Sequence, residues 1–76
     1  MQKKTVTIDE KTSYNIIPGG LGTVAIERVF KGSIKGFVIV APEHGNVEDI
    51  TAEITGQKSW KEAVMKYDLE MYQGRS

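Results

Sequence analysis

Seventy-six residues carry ten basic and ten acidic side chains, a net charge of zero and no cysteine. That length suits one small domain, 1–76, near the lower limit for a core without staples. The lack of cysteine removes disulfides and thiolate zinc sites, and the neutral charge removes the diffuse attraction behind nonspecific nucleic-acid binding. Lys3 and Lys4 have no apolar stretch behind them, and no run approaches the ~18 apolar residues of a membrane span. The expectation is a cytoplasmic protein with no membrane partner.

In chain order, Lys4 to Ile8 and Ser13 to Ile17 are short runs rich in Thr, Val, Ile and Tyr. They read as strands joined by the polar loop Asp9 to Thr12. Pro18-Gly19-Gly20-Leu21-Gly22 interrupts regular structure, and Thr23 to Phe30 predicts a third strand on its β-branched content. Lys31 to Ile34 is a turn around Gly32. Gly36 to Ala41 predicts a buried strand, since Phe37-Val38-Ile39-Val40-Ala41 offers water no polar side and belongs at the centre of a sheet. Ile50 to Thr55 alternates cleanly up to Gly56 and favours a fifth strand over the competing reading, a short helix capped by Asn46 with Val47, Ile50 and Ile54 inward.

Ser59 to Tyr72 fits two periodicities. As a helix it opens with a capping box, Ser59 with Glu62, places Glu62 one turn before Lys66, and turns Trp60, Ala63, Val64, Tyr67 and Met71 to one face. As a strand, Met65, Tyr67, Leu69 and Met71 alternate with polar neighbours. The helix is preferred on the propensities of Ala, Met, Lys, Leu and Glu. Met65, Leu69 and Tyr72 then form a second apolar stripe that a lone surface helix has no reason to carry. The fold class expected is α+β: a small curled antiparallel sheet of about five strands, open or barrel-like, with one C-terminal helix. The alternative is an all-β OB-like barrel in which Met65 to Tyr72 is a strand.

Reactive groups are sparse. Gly20-Leu21-Gly22-Thr23-Val24-Ala25 has the G-x-G-x-x-A pattern of a dinucleotide loop, but a chain this short lacks the second half of such a site, and glycines turning between strands account for it. His44 stands in a loop near Glu43, Glu48, Asp49 and Glu53 with no metal-ligand spacing. The serines have no base set by a motif. The expectation is no catalysis, no cofactor and no metal.

The order Gly22-Thr23-Val24, Lys35-Gly36-Phe37, Pro42-Glu43, Gly45 and Asp49-Ile50 resembles the opening of a cold-shock domain. Thr51 to Gly56 is similar to a segment of bacterial translation initiation factor one. The resemblance covers about half the chain and implies an OB-fold that binds single-stranded or structured RNA on a curved sheet bearing aromatic and basic side chains. Of the aromatic platform of that family, Phe37 is in register, while Ile39 stands in place of a second ring.

Two functions follow. The leading one is a non-catalytic regulatory module that contacts a protein partner, or a second copy of itself, through Met65, Leu69 and Tyr72. The alternative is single-stranded nucleic-acid binding by Arg28, Lys31 and Lys35 with Phe30 and Phe37 or Tyr14 as stacking rings. Basic residues gather in the first half and acidic ones in the second; a solvated surface accounts for them, and the alternative is head-to-tail self-association or docking of a charged partner.

Overall fold

The structure, a computed structural model, describes residues 3–56 and 60–73. Five antiparallel strands form one open sheet in the order β1-β2-β3-β4-β5: β1 (Lys4–Thr7), β2 (Thr12–Pro18), β3 (Val24–Phe30), β4 (Ser33–Val40) and β5 (Met71–Gln73). Two helices, α1 (Val47–Gly56) and α2 (Trp60–Lys66), lie between β4 and β5 in the chain. The class is α+β, as the patterning predicts. The sheet does not close, with β1 and β5 as its edges.

Local chemistry explains each reversal. Asp9 accepts from the backbone N–H groups of Lys11 (2.9 Å) and Thr12 (2.8 Å), which bends the β1–β2 loop. Lys31 and Gly32, at φ 52° and 79°, make the two-residue turn joining β3 to β4, a geometry whose twist suits a hairpin. Gly20 to Thr23 is the tip of the β2–β3 hairpin, so the G-x-G-x-x-A run is a turn between paired strands and no βαβ unit forms.

Two elements differ from expectation. Residues 50–55 are helical, so the fifth strand is β5 instead. Asn46 Oδ1 accepts the Asp49 N–H at 3.0 Å, and Ile50 and Ile54 recur at helical spacing on the buried side. The alternation seen in the sequence is compatible with both periods, because positions 50 and 54 face one way in either. The predicted helix to Tyr72 stops at Lys66, and its proposed cap, Ser59, lies outside the described residues. Asp68 takes the left-handed conformation (φ 53°), its N–H bonds to Met65 O at 3.2 Å, and the Leu69 N–H reaches Val64 O at 3.0 Å. That pair of bonds is a Schellman stop, closed by apolar contact between the residue after the reversal and the last helical turn. Lys66 pairs with Glu53 of α1 at 2.6 Å, rather than with Glu62. Tyr67 donates to the same carboxylate, and the two bonds, Lys66 first, hold the Glu53 pKa below the usual carboxylate range.

Both helices cover one face of the sheet. Tyr14, Ile26, Val38 and Val40 from the strands meet Ile50, Ile54, Trp60, Ala63, Val64 and Leu69 in a single core. Arg28 points into the same layer: its guanidinium lies 5.8 Å from the ring centres of both Tyr14 and Trp60 and donates to the Tyr14 hydroxyl at 2.9 Å. Burial, partly opposed by Arg28, raises the Tyr14 phenol above its ordinary 10.0. A raised folded-state value favours the protonated form in the fold. Its contribution is therefore fully present below pH 10.0 and is lost as pH rises through the folded value. Thermal melts from pH 9 upward should fall beyond pH 10 in the wild type, and Tyr14→Phe should flatten that fall.

Candidate functional site

The opposite face of the sheet carries no helix among the described residues. Alternate side chains on each strand must point there. Register places Thr5, Asn15, Glu27, Phe37 and Tyr72 side by side across the strands, with Ile17, Ala25 and Ile39 in the adjoining row. Below the first row, Ser13, Val29 and Ile34 form a third.

The first row is internally bonded. Thr5 donates to Asn15 Oδ1 at 2.9 Å, and Asn15 Nδ2 donates to Glu27 at 3.1 Å. Next to them the rings of Phe37 and Tyr72 stack at 4.9 Å between centres and 16° between planes. This polar-to-aromatic progression divides the face: hydrogen-bonded toward β1, apolar toward β4 and β5. Ile39 and Tyr72 are exposed there, while Ile17, Ala25, Val29, Ile34 and Phe37 are half-buried.

At the β4–β5 corner a hollow of about 320 Å³ has Ile39 and Tyr72 on its apolar sides and Glu43, Asp68 and Glu70 around it. The Tyr72 hydroxyl donates to Glu70 at 2.8 Å, a bond to the neutral phenol that raises its pKa. His44 also borders the hollow, but its Nδ1 accepts the Ala41 N–H at 3.0 Å and holds the turn at Pro42–His44. Among the described residues, no group of three or more His, Asp or Glu side chains is placed to hold a metal ion. The corner is suited to a cation that is part of a larger apolar surface: aliphatic and aromatic walls for the stem of Lys or Arg, carboxylates for its head.

The stripe Met65, Leu69 and Tyr72 does not survive as a surface. Met65 is exposed on α2, Leu69 is 7% exposed and part of the core, and Tyr72 is on the far side of the sheet. The physical reason is the reversal at Asp68, which ends the helical spacing on which the stripe depends. The nucleic-acid set is divided too. Arg28 belongs to the helix-covered layer, Lys31 sits at the β3–β4 turn over Phe30, Lys35 is the extra residue of the bulge opposite Arg28 and Val29, and Phe37 alone joins the open face. Sequence reasoning missed that Ile17, Ala25 and Ile39 share one uncovered face of the sheet. The signal was present: a strand without a polar side implies a cover on both faces, and here the described residues supply one only.

No protein-family model, curated protein or solved structure matches this chain. Among the described residues no helix is long and apolar enough to cross a membrane.

Proposed function

We propose that the protein is a non-catalytic binding module whose open sheet face docks a partner protein presenting an apolar centre and a basic side chain. One observation carries this reading: Phe37 and Ile39 on one side of β4 have no covering layer among the described residues, although Gly36, Val38 and Val40 on the other side of the same strand are buried. Such a surface gains most when a partner excludes water from it. The carboxylates of Glu43, Asp68 and Glu70 beside Ile39 select a cationic rim on that partner. The hot-spot residues are Ile39, Phe37 and Tyr72, two of them aromatic.

Affinity capture from lysate, with and without nuclease, tests it when run on wild type, Ile39→Glu and Met65→Glu. A central anchor is worth ~2 kcal/mol, or about 30-fold in affinity. Wild type and Met65→Glu should retain one nuclease-resistant protein, and Ile39→Glu should lose it. Equal retention by Ile39→Glu would remove the open face from the mechanism. Capture that disappears with nuclease and falls steeply with salt would instead favour single-stranded nucleic acid, which the Phe37–Tyr72 pair supports and the neighbouring carboxylates oppose.

A further inference from the structure

Among the described residues nothing pairs with the outer edge of β1. The Ile8 N–H bonds to Thr12 O at 2.9 Å, and alternation along an antiparallel pair turns the backbone groups of Lys4 and Val6 toward β2 as well. Those of Thr5 and Thr7 therefore point away from the sheet. Beside this edge, on the helix-covered face, lies an open apolar groove of about 560 Å³ between the strands and α1, floored by Val6, Ile8, Ile16 and Val24 and walled by Val47 and Ala52. An unpaired edge next to an apolar groove is a template for another strand.

The residues of this segment say which strand fits. Lys3-Lys4-Thr5-Val6-Thr7-Ile8-Asp9-Glu10 is basic at one end, apolar and β-branched in the middle, and acidic at the other. Laid antiparallel on itself, such a segment matches opposite charges at both ends; laid parallel, it matches like with like. We propose that β1 pairs with β1 of a second copy about a two-fold axis through Val6, extending the sheet across the dimer.

In this register Thr5 of each copy faces Thr7 of the other, so every outward N–H and C=O of the two strands is used. Side chains on the axis fall on the groove side, where Val6 meets its own counterpart and Ile8 meets the stem of Lys4. Lys3 comes opposite Asp9, the acidic residue that bends the β1–β2 loop, so unlike charges meet at each end of the paired strands. A shift by two residues would leave half of the edge groups unpaired. The β1 edge lies at the opposite end of the sheet from Ile39 and Tyr72, so dimerisation leaves that part of the open face uncovered.

Sedimentation equilibrium over a concentration series from micromolar to millimolar tests the dimer. The mass should rise from 8.4 kDa toward twice that value. Thr7→Pro removes an outward N–H without touching the β1–β2 ladder and should remain monomeric with an unchanged far-UV spectrum. Lys3→Glu, on an exposed side chain, should weaken association about tenfold, as expected from an added like-charge contact. Amide exchange at Thr5 and Thr7 should slow with concentration, whereas Ile39→Glu should dimerise like wild type. A mass of 8.4 kDa up to millimolar concentration would overturn the proposal. So would a dimer insensitive to both Thr7→Pro and Lys3→Glu, or one abolished by Ile39→Glu.

Discussion

Leu69→Glu is expected to abolish cooperative folding. Leu69 packs with Val64, Trp60 and the rest of the core at 7% exposure, and its N–H closes the reversal that ends α2. Removing a buried leucine costs ~2–5 kcal/mol, and placing a carboxyl there adds several more, because it must desolvate or take up a proton. A chain of this size has only ~4–11 kcal/mol of stability at about 0.05–0.15 kcal/mol per residue. Near-UV circular dichroism should be flat and the urea transition lost. A volume-conserving Leu69→Met should keep both, within ~1.5 kcal/mol of wild type. Met65→Glu, on a side chain 79% exposed, should shift the midpoint by no more than ~0.5 kcal/mol. If Leu69→Glu melted normally, the stripe expected from the helical reading would be the true surface.

Trp60→Ala should be nearly as severe. The indole is 6% exposed, lies 6.4 Å from the Tyr14 ring at 56°, and carries the Arg28 guanidinium over its face. The site is prepared from the strand below: a side chain at Gly36 would stand 3.5 Å from the indole and 2.9 Å from the Tyr72 carbonyl. Glycine there lets the ring approach β4 closely while β5 pairs alongside. Truncation leaves a cavity across this joint and costs ~3–5 kcal/mol, with the loss of the cation–ring contact at Arg28 included in that range. Urea unfolding should show a midpoint reduced by about half, or no native baseline at all. Loss of Trp60 also undocks α2 from the β4–β5 pair, so amide protection at Phe37 and Tyr72 should fall before that at Ile26.

The paired strands at the start of the chain were legible because their signals are local. Thr, Val, Ile and Tyr fill the runs, Asp9 bends one loop and Lys31-Gly32 turns another. Each depends only on residues within a hairpin. Residues 47–56 were ambiguous because isoleucines four apart satisfy a helix and a strand equally. Asn46 decided it by capping, and burial of Ile50, Thr51, Ile54 and Thr55 together confirmed the helical face.

What the sequence determined by itself is the class: a β-rich first half, a helix expected near the end, no cysteine, and no set of reactive groups gathered by a motif. What only the tertiary structure decided is which side of each residue meets water. Leu69 and Tyr72 lie three positions apart and share a helical face on paper, yet one is in the core and the other on the open sheet face. The cause is a single left-handed residue, Asp68, an uncommon conformation for a side chain other than glycine and stable here because Leu69 gains a buried place beside Val64. Long-range burial outweighs local helical propensity at that point, and the energy that settles it belongs to contacts far apart in the chain.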